Sequence, residues 1–193
     1  GNGVAYCPHC DGPFFKNKDV AVVGGGNSGI EAALDLAGIV KKVTVLEFMP
    51  DLKADKILID KAEAKDNIEI IKNAQVERVV SEQGKVTGLD YLDRNTTNQR
   101  TVDLDGIFVQ IGLVPNSQFL VNVVELTSHG EIVVNENGET SEKGIYACGD
   151  VTTVPYKQII ISMGEGAKTA LSVADYLMKT EDYDIELVGA KSA

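Results

Sequence analysis

A chain of 193 residues in which 44% are hydrophobic can bury one sizeable core, or one complete domain plus part of another. Its 18 basic and 29 acidic residues give a formal charge of −11 at pH 7, which argues against nucleic acid and anionic membrane surfaces as partners. No apolar run is long enough to span a bilayer, Gly1–Val4 shows neither a basic nor an apolar signal region, and three cysteines do not make a secreted disulfide framework, so a cytoplasmic protein is expected.

Cys7-Pro8-His9-Cys10 comes first along the chain. A CxxC spacing lets two sulfurs close a small-ring disulfide and tends to lower one thiol's pKa, so that a thiolate is present near neutral pH. Asp11 follows directly and is placed to take or give a proton. Three readings compete: a redox disulfide, a zinc site and a pair of buried structural thiols. Zinc takes about four ligands, and only His9, His129 and Cys148 remain as further soft donors, with no second CxxC. The redox disulfide is favoured, with His9 a tuning or surface side chain.

Asp19–Val23 is a short apolar, β-branched run of the kind that forms a buried parallel strand. Gly24-Gly25-Gly26-Asn27-Ser28-Gly29 follows, and apolar residues then recur at helical spacing from Ile30 to Gly38, a plausible C-terminal stop. Val43–Glu47 is the second strand. Strand, glycine loop, helix and strand make a βαβ unit. Gly24 serves the tight turn, Gly26 the approach of the backbone to a pyrophosphate, and Gly29 the close packing of helix on strand. The helix N-terminus beyond Asn27 and Ser28 offers N–H groups to phosphates. Glu47 ends the second strand, where an acidic residue binds the ribose 2′-OH. A carboxylate there repels a 2′-phosphate, and Phe48-Met49-Pro50-Asp51 brings no arginine close behind it, so NADH is expected over NADPH. The bland alternative is a glycine turn that binds nothing, with Glu47 a solvated strand end.

Asp55–Lys65 reads as a second helix and Ile68–Ile71 as a strand. Gln75–Ser81, Lys85–Asp93 and Arg100–Leu104 read as three more strands, with Gly84 and Asn95–Gln99 as hairpin turns. Ile107–Ile111 returns to a buried strand. After Gly112, Leu113-Val114-Pro115-Asn116 looks like a domain edge. Gly130–Asn135 and Gly144–Ala147 read as short strands and Gln158–Lys179 as a long helix, despite Gly164 and Gly166. The tail Glu181–Ala193 is expected to fray. The expected fold class is α/β. Residues 1–112 form a Rossmann-like NAD-binding domain that carries the CxxC, its parallel sheet interrupted by an inserted antiparallel meander. Residues 113–193 form a second, incomplete domain.

Tyr6–Gly12 and Gly24–Gly29 closely resemble the thioredoxin reductase family of flavoproteins. CPHCDGP, GGGNSGIEAALDLAGIV, VTVLEF, GIFVQIGLVPN and VPYKQIIISMGEGAK are similar to the flavoprotein (F) subunits of alkyl hydroperoxide reductases. This resemblance, over nearly the whole chain, implies an electron path from NADH to FAD and on to the Cys7–Cys10 disulfide. Electrons would then pass to a second dithiol in an N-terminal thioredoxin-like module, and finally to a peroxiredoxin, the C-type subunit. It implies that Cys10 faces the flavin, that Cys7 is the interchange thiol and that Asp11 is the proton-handling acid. Glu47 matches the NADH users, whereas thioredoxin reductases proper carry basic residues after this strand. Gly144–Asp150 is similar to the second flavin motif, with Gly149 at the turn and Asp150 hydrogen-bonded to the ribityl chain. Read alone, Asp150 is only a turn aspartate. Lys157, Gln158 and Ile159 would open the long helix against the flavin ring, where the helix N-terminus favours negative charge on reduced flavin. Gly112 is placed with the cofactor-binding residues, and Cys148 reads as a buried structural thiol. A homodimer is implied as well.

The family's first flavin motif does not occur in this sequence, nor does the thioredoxin-like module. The chain is therefore expected to be the C-terminal piece of a larger subunit, inactive by itself, in which residues 113–193 are half of a flavin domain. Half a domain exposes a sheet edge and an apolar face, so abnormal packing, partial disorder or self-association is expected there. Two functional alternatives stand beside the leading reading: an NADPH-dependent thioredoxin reductase, and an isolated NAD-binding module that catalyses nothing.

Overall fold

A computed structural model describes residues 2–180; the expected frayed tail, 181–193, lies outside the described residues. The chain divides into two compact units, Gly1–Gly112 and Leu113–Ala193.

In the first unit the elements run β1 (Val4–Ala5), α1 (Pro8–Asp11), a 3-10 turn (Gly12–Phe15), β2 (Asp19–Val23), α2 (Asn27–Ala37), β3 (Lys42–Leu46), α3 (Lys56–Glu63), β4 (Ile68–Ile71), β5 (Ala74–Glu82), β6 (Lys85–Asp93), β7 (Asn98–Asp103) and β8 (Gly106–Val109). Five strands form a parallel sheet in the order β1-β8-β2-β3-β4, and β5-β6-β7 form an antiparallel sheet. The parallel sheet is covered on both faces, which is why its strands are apolar without alternation. Val20, Val22, Val43, Val45 and Phe108 pack with Ile30, Ala33 and Leu36 of α2 and Ala62 of α3. On the other face Ala21, Leu46 and Ile107 pack with Val86, Leu89 and Tyr91 of the meander and with Leu104. The unit is thus three layers: helices, parallel sheet, antiparallel sheet.

Two elements carry no sequence signal. The two-residue β1 is too short to show a period, and it forms because β8 offers a free edge, Val4 pairing with Ile107 and Ala5 with Phe108. The one-turn α1 lies inside the CxxC itself: Pro8 suits the first helical position, and the Cys7 sulfur accepts the Cys10 N–H at 3.2 Å. Helix α2 begins at Asn27, three residues before the apolar period becomes visible, because Gly26 is its N-cap.

The second unit contains a 3-10 turn (Gln118–Leu120) and one long helix, α4 (Ile159–Met178). The strands expected at 130–135 and 144–147 do not form continuous ladders. Isolated bridges join Leu126 to Ile132, Ile132 to Thr152, and Glu139 to Tyr146. Tight turns interrupt any longer pairing, with Gly130 N–H donating to Thr127 and Gly138 N–H to Asn135. Among the described residues of this unit the buried apolar side chains are few, Val124 and Ile132. Helix α4 leaves Ile159 81%, Ile160 73%, Met163 65% and Leu171 74% exposed. An open apolar face is therefore present in this unit.

Candidate nucleotide and dithiol site

The glycine loop follows β2 and enters α2. Gly24 has φ +119°, and a Cβ there would stand 2.2 Å from the Gln110 carbonyl oxygen, so both the turn and the approach of β8 require glycine. A Cβ on Gly29 would lie 1.9 Å from the Gly24 carbonyl oxygen. At Gly26 the situation is opposite: a Cβ would meet nothing within 4 Å. No packing demand of the protein explains that glycine. In front of it lies open space beside a helix N-terminus that no side chain caps. Asn27 does not face this space alone: its amide donates to the Asp55 carboxylate at 3.1 Å and its carbonyl accepts the Asp55 N–H at 2.7 Å. It ties the first turn of α2 to the start of α3. Ser28 is exposed in the same turn.

Glu47, one residue beyond β3, is only 9% exposed. One carboxylate oxygen accepts the Gly25 N–H at 2.6 Å and the other accepts the Met49 N–H at 2.7 Å. Glu47 therefore shapes the loop as well as standing beside it, which corrects the picture of a solvated strand end. Each carboxylate oxygen has a second lone pair available for a ligand hydroxyl. Along the chain no arginine stands near Glu47, but in space one does. Arg94, at the β6–β7 turn, donates to the Phe48 carbonyl oxygen at 2.7 Å, and its guanidinium carbon lies 4.0 Å from the centre of the Phe48 ring. A contact across 46 positions leaves no mark in a local pattern.

Cys7 and Cys10 are joined as a disulfide, with Cα atoms 5.2 Å apart. Cys7 is half-buried and Cys10 exposed. Asp11 follows in α1, half-buried, its N–H donating to the Cys7 carbonyl at 2.9 Å. The dithiol segment rests on α2: a Cβ at Gly12 would stand 3.1 Å from the Leu36 side chain, and the His9 ring lies 3.5 Å from the Asp35 carboxylate. Gln110 links dithiol segment and glycine loop directly. Its backbone N–H donates to Val23, its carbonyl abuts Gly24, and its side chain donates to the Tyr6 carbonyl at 2.8 Å. Sequence reasoning missed Gln110, because a glutamine at a strand end carries no motif. Gly112, φ +94°, closes the unit in open space. Among the described residues no group of three or more His, Cys, Asp or Glu side chains gathers as a metal site.

In the second unit Gly149 is buried at φ +78°, and one oxygen of exposed Asp150 accepts the Ser162 hydroxyl at 2.8 Å. Lys157 is committed to this unit, 3.0 Å from the Glu131 carboxylate and bonded to the Thr152 carbonyl. Its ammonium is thus less available to a ligand than its sequence position suggests. Gln158 is the N-cap of α4, with no side-chain cap bond, and Ile159 beside it is exposed. Cys148 is a half-buried free thiol. No described helix is long and apolar enough to cross a membrane.

A family model described as pyridine nucleotide-disulphide oxidoreductase matches residues 1–171. The chain is 57% identical over 179 residues to the F subunit of the Escherichia coli alkyl hydroperoxide reductase, covering 93% of this chain and 34% of that protein. It is 56% identical over 177 residues to a Bacillus subtilis protein named NADH dehydrogenase, covering 92% and 35%. Among solved structures, the thioredoxin reductase of Streptococcus pyogenes superposes with a TM-score of 0.85 at 34% identity, covering 93% of this chain and 58% of that one. The chain thus spans about a third of the length of the curated relatives it matches.

Proposed function

This chain belongs to the pyridine nucleotide-disulphide oxidoreductase family, and from that premise we propose that it is the nucleotide-binding and dithiol-bearing part of an NADH-dependent flavoprotein disulfide reductase. Its electrons go from NADH by way of FAD to Cys7–Cys10, and then through a thioredoxin-like module to a peroxiredoxin. The observation that carries the reading is the joining of a closed CxxC disulfide to a glycine loop in one unit, through Gln110 and the α1–α2 packing. The preference for NADH is supported by Glu47, whose carboxylate repels a 2′-phosphate.

The work of the residues follows from their chemistry. Gly26 leaves room for the pyrophosphate, and the first N–H groups of α2 donate to its oxygens. Glu47 orients the ribose through the lone pairs that Gly25 and Met49 leave open. Asp150, Gly149 and the start of α4 at Gln158 and Ile159 are the residues that would hold FAD, with Lys157 fixing the preceding loop from within. Bound FAD supplies the conversion between hydride chemistry and disulfide chemistry. Reduction of Cys7–Cys10 breaks one S–S bond, takes up two electrons and two protons, and leaves two thiols. Asp11, the residue after Cys10, is the acid assigned to pass protons to and from the pair. The Cys10 N–H is already aimed at the Cys7 sulfur. The same role for a larger subunit implies a homodimer and a cytoplasmic setting.

Calorimetric titration of the full chain with NADH and with NADPH tests the nucleotide reading. Tighter binding of NADH is expected, and tighter binding of NADPH would make the thioredoxin reductase reading the better one. Thiol counting after anaerobic NADH and added FAD tests the electron path. An unchanged count, with NADH bound, would mean that this length of chain is a binding module.

A further inference from the structure

Ligands of parallel sheets of this kind bind beyond the carboxyl ends of the strands. At the end of β3 the residue after Glu47 is Phe48, whose side chain remains 48% exposed. Arg94 stands over that ring at 4.0 Å and is held there by its bond to the Phe48 carbonyl. The backbone is braced at the same place: Arg94 N–H donates to the Asn73 carbonyl at 2.8 Å and Asn73 N–H to the Met49 carbonyl at 3.1 Å. The turn that presents Arg94 is itself pinned, the Asp93 carboxylate accepting the Asn95 N–H at 3.0 Å and the Asp93 carbonyl the Thr97 N–H at 2.7 Å.

The chain has three arginines. Arg78 pairs with Asp90, and Arg100 lies 3.7 Å from Asp93. Among the described residues no carboxylate lies within 4.0 Å of Arg94. A flat guanidinium on a flat ring, rigidly mounted and partly open, is a surface for stacking another flat ring. It adjoins the carboxylate assigned to the ribose. We propose that the Phe48–Arg94 pair is the adenine platform of the nucleotide site, with Arg94 as a specificity-determining residue that reads the base rather than a 2′-phosphate. This rests on the nucleotide reading above. One Arg94 guanidinium N–H is spent on the Phe48 carbonyl and, among the described residues, its other guanidinium N–H groups stay open, so it is the neighbouring Glu47 carboxylate, not a shortage of donors on Arg94, that disfavours a 2′-phosphate here.

Calorimetry of the full chain with 5′-AMP, NADH and NADPH, on wild type and on Arg94→Ala, tests this. The expected result is a loss of roughly tenfold for 5′-AMP and for NADH alike, the scale of one lost stacking partner. Arg94→Lys keeps the charge but not the plane, and is expected to stay weak. Phe48→Leu is expected to weaken 5′-AMP to a similar degree and Phe48→Tyr to retain it, which covers the case in which Arg94→Ala disturbs the turn. Unchanged 5′-AMP affinity in Arg94→Ala overturns the proposal, as does recovery in Arg94→Lys. A loss confined to NADPH would make Arg94 a phosphate ligand instead. A wild-type chain that binds neither NADH nor 5′-AMP removes the nucleotide reading itself, whereas NADH binding with an indifferent Arg94 removes only the platform.

Discussion

Gly26 and Gly29 stand three residues apart in one loop, yet alanine should act on them in opposite ways. At Gly29 the added Cβ would meet the Gly24 carbonyl oxygen at 1.9 Å and the Gly24 carbonyl carbon at 2.7 Å, both backbone atoms of the β2–α2 turn. Side-chain Cβ atoms essentially never come within 3.0 Å of another heavy atom, so α2 must move outward by at least about 1.1 Å. That movement lifts Ile30, Ala33 and Leu36, all fully buried, from Val20, Val22, Val43 and Val45. Overpacking of this kind costs about 1–3 kcal/mol or more, and alanine's helix propensity returns at most about 1 kcal/mol. A net loss of up to roughly 2 kcal/mol lowers the melting temperature of a unit this size by up to about 8–16 °C. At Gly26 the Cβ meets nothing within 4 Å. The only structural cost is a poorer N-cap, below about 1 kcal/mol, so melting shifts by less than about 8 °C. The methyl group nevertheless fills the space assigned to the pyrophosphate, and NADH affinity should fall by at least about tenfold, a difference of some 1.4 kcal/mol. Thermal unfolding followed by circular dichroism, with NADH calorimetry on the same samples, separates the two effects. Equal destabilisation by both substitutions would refute the packing account. Undiminished NADH affinity in Gly26→Ala would refute the ligand account.

Glu47→Ala leaves the N–H groups of Gly25 and Met49 without their acceptors. Each bond is to a charged group and worth about 1.5–3 kcal/mol; a drop in stability of about 3 kcal/mol or more in denaturant titration is expected, and a drop below about 1 kcal/mol would mean that water replaces the carboxylate freely. The antiparallel sheet should lose stability in acid. Asp90 is held below the usual carboxylate range, first by the Thr101 hydroxyl and then by Arg78, and Asp93 first by the Asn95 N–H and then by the Thr96 side chain. A depressed carboxyl contributes stability that is complete above its unfolded value near 4. That contribution is lost as pH falls through the lower, folded value. Asp90→Asn should therefore flatten the acid limb of the pH–stability curve below about pH 4, and an unaltered limb would remove this assignment. Thiol titration of the unfolded chain should find one free thiol, Cys148, before reduction and three afterwards. Three thiols in the untreated chain would mean that Cys7–Cys10 rests in the reduced form.

Much of the first unit was legible in order. A β-branched run, six loop residues with glycine at four positions, an apolar period and a second apolar strand define a βαβ unit by local chemistry, and the meander announces itself by alternation and turn residues. Each of these signals is carried by neighbours in sequence, so one chain suffices to read it. Signals fail where partners are distant. The two-residue β1 exists only because β8 has an edge to offer. The strands expected after Gly112 read well as apolar runs, but a strand needs a continuous neighbour, and the described second unit supplies only single bridges.

The same division runs through the site. Residue type and spacing determined that a dithiol, a glycine loop and an acidic strand end belong together. They also singled out Gly24 and Gly29, where a positive φ or close approach excludes a Cβ. Only the tertiary structure decided that Glu47 is buried and spends one lone pair of each oxygen on its own backbone, that Lys157 is paired with Glu131, and that Gln110 joins the two motifs. It alone brought Arg94 across 46 positions onto Phe48. Hydrogen bonds and ring stacking are short-ranged, so they are set by where the folded backbone places a side chain and not by its distance along the chain.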